Sequence, residues 1–325
     1  MKASWSARLA AYKDPDTLKS ILQLTTNAVL FAGSWALMYL SLSVSYWLTL
    51  LLAVPTAFLL VRLFIVQHDC GHGAFFRSSR AADIVGSIIG VLTLTPYHYW
   101  KKVHAMHHAT SGNLEHRGFG DIDTLTVNEY LALSRWGRFK YRVYRHPAVL
   151  FGVGAVLQFF VVHRLPTIVP REWTRERRSV FWTDVGLAAF IVLMGLLVGF
   201  GQFLLVYVPL MMLSASIGVW LFYVQHQFEP TYWEHDERWV YDDAALAGSS
   251  YYRLPRLLQW ATGNIGLHHV HHLNARIPNY RLQEALESVP ELQRVTTLTL
   301  WDSLRCVSLA LWDERQRRLV RFPRG

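Results

Sequence analysis

The sequence predicts an all-α membrane protein: four transmembrane helices, paired as two hairpins, carry a helical cap on the cytosolic side. Three observations support this fold class. Of the 325 residues, 52% are hydrophobic, four apolar runs are long enough to cross a hydrocarbon core of about 30 Å, and both short hairpin turns lack basic residues. We expect a single domain over residues 1–325, with the cap formed by residues 67–180 and 225–325.

The first predicted hairpin consists of apolar runs at about residues 27–44 and 47–66, joined by a short uncharged turn. Arg62 lies near the end of the second run, where we expect its long side chain to reach the membrane interface. Residues 1–26 are charged and have no apolar core, so they do not resemble a cleaved signal peptide. We expect them to form a cytosolic lead-in.

The second predicted hairpin consists of runs at about residues 181–200 and 202–224, joined by a glycine turn. Between the hairpins, residues 82–96 and 147–162 are apolar but short for spans. We expect the first of these segments to be buried or re-entrant, and the second to lie in the membrane plane or re-enter it.

The basic residues indicate the orientation of the spans, because cytosolic loops carry an excess of lysine and arginine. Those of the loop before the third span and of the C-terminal tail are Arg171, Arg175, Arg177, Arg178, Arg315, Arg317, Arg318, Arg321 and Arg324. With the basic lead-in, they predict a multi-pass membrane protein with both termini cytosolic, and we expect the membrane to be a bacterial inner membrane. Cys70 and Cys306 are the only cysteines, which excludes a disulfide framework and favours a reducing compartment.

Three clusters of histidines are the main functional signal. Residues 67–72 place two rings at i and i+4, and residues 104–108 and 268–272 each place three rings at i, i+3 and i+4. On a helix such rings share one face. The eight are His68, His72, His104, His107, His108, His268, His271 and His272. Imidazole suits iron, zinc, copper and nickel, and eight exceed the needs of one tetrahedral zinc, so we predict two metal ions.

The predicted topology brings these clusters to one side of the membrane. His68 follows the second run by two residues, and His226 follows the fourth in the same way, so both emerge at the cytosolic face. We expect some of the nearby carboxylates to orient ligating rings. The candidates are Asp69, Asp121, Asp123, Glu229 and Glu234. The remaining histidines are expected at the surface or in packing: His98, His116, His146, His163 and His235.

The order HxxxH, HxxHH, HxxHH around four spans resembles the membrane-bound fatty acid desaturases. The segments QHDCGHG (67–73), TPY (95–97), TSGN (110–113) and PNY (278–280) are similar to those of the acyl-lipid omega-6 (Δ12) and omega-3 branch. The resemblance covers approximately residues 67–287. Histidine at position 269 departs from the family, in which an apolar residue is common there, and we expect it to lie behind the ligands or in solvent.

This resemblance implies an oxidoreductase that uses dioxygen and external electrons to place a cis double bond in an acyl chain, of the Δ12 type on a lipid-linked acyl group. It implies two non-haem iron ions held by the eight histidines, with His226 as the candidate for a further ligand after the last span. Removing hydrogen from an unactivated methylene also requires a redox cofactor, and zinc has no redox chemistry.

Two other interpretations remain open. One is a related di-iron membrane oxygenase, such as an acyl hydroxylase, an acetylenase or a carotenoid-modifying enzyme; the other is a zinc-binding membrane receptor or transporter. The chain shows no nucleotide-binding fingerprint, iron–sulfur cysteine run or fused cytochrome b5 motif, so we expect an external donor such as ferredoxin or cytochrome b5. The net charge of +9 and the basic tail suit acidic headgroups or an acidic protein, and we expect no nucleic acid partner.

Overall fold

The computed structural model describes residues 4–118 and 120–323, so Arg324 of the basic tail lies outside the described residues. The chain divides into two compact units, each built from separate parts of the sequence. The cap unit comprises residues 1–14, 103–150 and 220–325, and the span unit comprises residues 15–102 and 151–219. The single domain expected from the sequence stays a prediction.

The α-helices of the described residues are α1 (Trp5–Arg8), α2 (Thr17–Ser41), α3 (Tyr46–Gly71), α4 (Ser79–Leu92), α5 (Tyr97–Thr110), α6 (Val127–Ala132), α7 (Arg135–Tyr144), α8 (Gly154–Phe160), α9 (Thr174–Val198), α10 (Phe200–His226), α11 (Tyr241–Ala247), α12 (Arg256–Ala261), α13 (His268–Leu273), α14 (Leu282–Ser288) and α15 (Leu300–Cys306). Short 3₁₀ turns occupy Ala10–Tyr12, Val162–Arg164, Pro166–Ile168, Asn279–Arg281 and Pro290–Arg294, and a π-helical segment occupies Ala148–Val153. The strands are β1 (Leu125–Thr126), β2 (Tyr251–Tyr252), β3 (Thr297–Leu298), β4 (Leu311–Asp313) and β5 (Arg318–Val320).

Four of these helices, α2, α3, α9 and α10, are long and apolar enough to cross a membrane. The prediction of a mostly helical membrane protein with four candidate spans is therefore confirmed. A fifth candidate arises when α7 and the segment Ala148–Arg164, which are bent by 60° relative to each other, are counted as one broken span.

The helices extend beyond the apolar runs from which they were predicted. Helix α2 begins at Thr17 rather than at residue 27, because Asp16 caps it: Oδ1 accepts hydrogen bonds from the backbone N–H groups of Leu18 and Lys19, at 3.0 and 3.1 Å. The helix therefore begins in the polar segment before the apolar run, because its backbone hydrogen bonds do not depend on the hydrophobicity of the side chains.

Because the helices are longer than predicted, two candidate ligands lie within helices rather than after them. The predicted spans 47–66 and 202–224 end two residues before His68 and His226, but α3 continues to Gly71 and α10 to His226. Both imidazoles are consequently held by the last turns of long helices rather than by the loops that follow. Helix α9 likewise begins earlier than predicted, at Thr174 rather than at residue 181.

Polar side chains form a seam between α2 and α3, at a spacing of seven residues along α2. Three pairs make hydrogen bonds across it: Asn27 with Arg62 (2.8 Å), Ser34 with Thr56 (2.5 Å) and Ser41 with Thr49 (2.8 Å). The expectation that Arg62 reaches the interface is wrong, since its side chain is buried and its Nε–H donates to Oδ1 of Asn27. A buried guanidinium requires such a partner in apolar surroundings.

Helix α4 contains most of the short apolar segment predicted at residues 82–96. It is 14 residues long and packs against α3 and α9. Gly86 permits its close approach to the start of α5, because a Cβ atom there would lie 2.3 Å from the ring of Tyr97. Fourteen helical residues rise about 21 Å, less than the hydrocarbon thickness.

The cap unit contains two small sheets that the sequence did not predict. Strands lie in the order β1-β4-β5 in one sheet, with β1 and β4 parallel and β4 and β5 antiparallel, while β2 pairs in parallel with β3. In the second sheet Tyr251 pairs with Thr297 and Tyr252 with Leu298. Strands of two or three residues have no recognisable periodicity, so only their distant partners define them.

Candidate metal centre

Helices α5, α10 and α13 bring histidines of the cap unit together. Each HxxHH segment is helical, so its three rings share one face as the spacing predicted. The side chains of α13 are buried, and an apolar cluster that includes Leu267, Val270 and Leu286 lies behind the helix. Packing of this apolar face directs the three ligand candidates of α13 to the opposite side.

The first group of converging rings consists of His107, His226, His268 and His272, all of them buried. Their candidate ligand nitrogens lie within 4.8 Å of one another. The Nε2 atom of His226 is 3.2 Å from that of His107 and 2.9 Å from that of His268, and the Nε2 atoms of His268 and His272 are 3.1 Å apart. Four nitrogens this close match the edges of a coordination shell with metal–nitrogen bonds of about 2.1 Å.

The second group in the cap unit consists of His104, His108 and His271. The Nε2 atom of His108 lies 3.2 Å from that of His104 and 3.0 Å from that of His271. The rings of His104 and His108 meet edge to face, with centroids 4.7 Å apart. This group contains the remaining candidates that the sequence placed on α5 and α13.

The hydrogen bonds behind the first group determine where its protons lie. Nδ1–H of His226 donates to the carbonyl oxygen of Gly248, at 3.0 Å, and a carbonyl can only accept. Nδ1–H of His107 donates to Oδ1 of Asp121, at 2.5 Å. In its neutral form each ring therefore presents an unprotonated Nε2, and the 3.2 Å contact between these two nitrogens is then an approach of two lone pairs rather than a hydrogen bond. A cation between them removes this repulsion, so the residues fit a metal ion.

Burial keeps the ring of His272 neutral. Its pKa is well below its ordinary value, chiefly because of desolvation and further because of the nearby His108, His268, His226 and His107 rings. Neutral imidazole is the form that ligates a metal. The carboxylate of Asp121 lies behind this group, on the Nδ1 side of His107.

In the span unit, His68 lies in the last turn of α3 and His72 directly follows the end of this helix, with ring centroids 4.7 Å apart. Nδ1–H of His68 donates to Oδ1 of Asp69, at 3.1 Å. The indole of Trp100 packs on the ring of His68, and a Cβ atom at Gly71 would lie 2.9 Å from that indole. Gly71 therefore leaves room for the tryptophan beside the HxxxH segment.

Two of the five expected carboxylates contact a candidate ligand in the described part of the chain. Asp69 and Asp121 do so, whereas Glu234 forms ion pairs with Arg317 and Arg238, and no described hydrogen bond joins Asp123 or Glu229 to a histidine. Glu229 instead pairs with Arg318. Two arginines of the basic tail are thus engaged with acidic side chains of the cap.

The structure buries His269 completely, so of its two expected positions, behind the ligands or in solvent, the one in solvent is excluded. Its Nε2–H donates to the carbonyl oxygen of Leu292, at 3.0 Å, and desolvation lowers its pKa to about 4. Of the other histidines, His235 pairs with Glu115 and Glu314 at the surface. These contacts agree with a packing role for His269 and a surface role for His235.

Two features of the centre escaped the sequence analysis. The carbonyl of Gly248 orients His226, and a backbone acceptor carries no sequence signal. The buried guanidinium of Arg145 donates to the side chain of Gln227 and to the carbonyl of Leu309. This arginine fixes the residue that follows His226, and its burial amid polar partners is visible only in the fold.

Comparisons with known proteins show which proteins this chain is similar to. A family model described as fatty acid desaturase matches residues 41–302. A fatty acid desaturase of Bacillus subtilis is 48% identical over 97% of this chain and 89% of its own length. An sn-1 acyl-lipid omega-3 desaturase (ferredoxin) of Synechocystis is 27% identical over 89% and 81% of the two chains, and an sn-1 oleoyl-lipid 12-desaturase of Anabaena variabilis is 26% identical over 82% and 76%.

Proposed function

Because the chain belongs to the fatty acid desaturase family, we propose that it is a di-iron acyl desaturase that uses dioxygen to place a cis double bond, of the Δ12/omega-6 type, in a lipid-linked acyl chain. The observation that carries the proposal is the 3.2 Å approach of the Nε2 atoms of His107 and His226, whose Nδ1–H groups are both held behind the rings by other acceptors. The printed activity of the Anabaena relative supports the regiochemistry and the lipid carrier.

The proposed ligands form two sets. His107, His226, His268 and His272 would hold one iron ion, and the three rings of the second group would hold the other. We propose that His68 and His72 complete the second set, as the resemblance of the HxxxH segment implies. Iron is proposed over zinc because the family's reaction is an oxidation and zinc has no redox chemistry.

When bound, the iron ions would supply the redox chemistry by which dioxygen, with two electrons from the external donor and two protons, takes up two hydrogens from adjacent carbons and is released as two water molecules. The chain's own residues supply orientation and a dry environment. Asp121 and the carbonyl of Gly248 accept hydrogen bonds from the Nδ1–H groups of His107 and His226. These bonds fix the orientation of the two rings and leave Nε2 available to bind a metal ion. The burial of the ligand rings excludes water, which favours oxidation of the acyl chain over side reactions.

The proposed partners follow from the membrane location. The acyl substrate is proposed to enter from the bilayer, and the electrons are proposed to come from ferredoxin or cytochrome b5; the name of the Synechocystis relative specifies ferredoxin. We place the protein in a bacterial inner membrane, with the metal centre and both termini in the cytosol, on the basis of the distribution of lysine and arginine.

The test is the fatty acid profile of bacteria that express this chain together with a ferredoxin and receive oleate. We expect a new dienoic acid whose second double bond lies at carbon 12. The matched control carries His271→Ala and should yield the profile of cells without the protein.

Other products would correct the proposal in defined ways. A hydroxylated acid would assign the chain to the related oxygenases, and a dienoic acid with its bond elsewhere would correct the regiochemistry alone. Purified protein should contain two iron ions per chain. Zinc in their place, with no new fatty acid, would contradict the proposed reaction.

A further inference from the structure

The span unit contains an open groove on the surface of α4, with a volume of about 590 Å³. It lies outside the groups of ligand candidates described above, although His98, which lines it, is on the same helix α5 as three of those candidates. The residues that line it are Ser79, Arg80, Asp83, Ile84, Ser87, Ile88 and His98. Its lining combines an apolar wall with a charged end, and this combination limits what it can bind.

The apolar wall consists of Ile84 and Ile88. These side chains are one helical turn apart on the same face of α4, and they are 52% and 61% exposed. Two neighbouring isoleucines exposed beside a groove leave apolar surface uncovered, and covering it with hydrocarbon is favourable.

At the charged end, Arg80 and Asp83 line the groove, and two further cations contact the carboxylate of Asp83. Asp83 lies between Lys101 and Arg175, with Oδ1 3.3 Å from Nζ of the lysine and Oδ2 2.8 Å from a guanidinium nitrogen of the arginine. Burial acts to raise the pKa of Asp83, but Lys101 and its other cationic neighbours keep this pKa below its ordinary value. The carboxylate therefore stays ionised and orients the two cations, while Arg80 is exposed at the same end.

The start of α4 adds to the positive potential at this end. Ser79 and Arg80 form the first turn of a helix of 14 residues, and the amide dipoles there favour a nearby anion. The groove is thus cationic where α4 begins, and it becomes apolar one to two turns later, at Ile84 and Ile88.

We propose that this groove binds an anionic glycerophospholipid, with its phosphate at Arg80, Lys101 and Arg175 and an acyl chain along Ile84 and Ile88. Basic pockets beside membrane helices bind anionic headgroups by the same electrostatics. A free phosphate ion would leave the isoleucines uncovered, and a neutral lipid would leave the surplus of cations without a counter-charge. The proposal does not depend on the proposed reaction.

Native mass spectrometry of the full-length protein in a neutral detergent tests the proposal. The protein is titrated with dioleoyl phosphatidylglycerol and, separately, with dioleoyl phosphatidylcholine. We expect tighter binding of the anionic lipid, and about 30-fold weaker binding of it to the double variant Arg80→Ala/Lys101→Ala, since each cation near a lipid surface contributes about a factor of five. The matched control, Arg294→Ala/Arg315→Ala, removes two exposed charges of the cap unit and should bind as the wild type does.

The apolar wall is tested separately with Ile84→Ser/Ile88→Ser, which should also weaken phosphatidylglycerol binding, while inorganic phosphate should not displace the lipid. Thermal unfolding without lipid confirms that each variant is folded, and Arg80→Ala alone replaces the double variant if the latter is not. Equal affinities for the two lipids, or wild-type binding by the folded Arg80→Ala variant, would overturn the proposal. Displacement by phosphate with no effect of the isoleucine changes would show an anion site without a lipid.

Discussion

Oδ1 of Asp121 lies 2.5 Å from Nδ1 of His107, on the side of the ring away from its Nε2 contact with His226. This hydrogen bond couples a loop carboxylate to the orientation and the tautomer of a ligand candidate. The ring cannot turn to present Nδ1 without breaking a charge-assisted bond. The effect of removing the carboxylate is therefore measurable at the metal.

We expect Asp121→Asn to lower iron affinity by about 10- to 100-fold, because the uncharged amide holds the His107 ring less firmly and makes Nε2 less basic. The measurement is iron bound per chain during competition with a chelator. Asp123→Asn is the matched control two residues away and should retain the wild-type affinity. An Asp121→Asn protein that binds iron as tightly as the wild type would show that the hydrogen bond does not support a ligand.

His271→Ala should lower desaturation by more than about 100-fold and reduce bound iron, since it removes a ligand itself rather than the group that orients one. The activity assay and the iron content are measured on the same preparation. His146→Ala, which removes an exposed histidine, should leave both unchanged. Full iron content with full turnover in the His271→Ala protein would refute the assignment of this ligand.

His269→Ala should affect stability rather than metal content. The substitution leaves the carbonyl of Leu292 without its donor and opens a cavity in a buried site, with an expected cost of about 2 kcal/mol. Thermal unfolding in detergent should show a lower midpoint, while iron per folded chain stays at the wild-type level. Loss of iron from folded His269→Ala protein would instead make this residue part of the metal centre.

Asn27→Leu should destabilise the pairing of α2 with α3. It removes the Oδ1 atom that accepts from the buried guanidinium of Arg62, and hydrogen bonds to charged groups contribute about 2 kcal/mol. The unfolding midpoint in detergent should fall. The control is Thr26→Leu, which introduces a leucine at the exposed neighbouring position. Equal midpoints for the two variants would contradict a role for this seam.

Much of the architecture was predictable because it depends on local patterns. A span is an apolar run of sufficient length, and the HxxHH spacing at residues 104–108 and 268–272 places three rings on one helical face wherever the helix lies. The boundaries were less predictable. Polarity ends the apolar run before His68, whereas the hydrogen bonds of α3 continue to Gly71, since a helix does not depend on the hydrophobicity of its last turn.

The pairing of groups distant in sequence was beyond the sequence alone. Five nearby carboxylates were equivalent candidates, and only the folded chain separates Asp121, which contacts a ligand ring, from Glu234, which binds arginines. Similarly, Arg62 was expected at the interface, but Asn27 on the neighbouring helix provides a buried partner. Each outcome depends on which polar atoms the fold brings within about 3 Å.

The sequence by itself therefore determined the membrane class, the four candidate spans, the family resemblance and the histidine clusters, since all of these are spacings along one chain. The tertiary structure alone decided how the seven ligand candidates of the cap unit divide into groups around His226 and His271. It also decided that the carbonyl of Gly248 leaves Nε2 of His226 unprotonated. Proton positions and ligand grouping arise from contacts between separate helices and loops, which no spacing along the chain encodes.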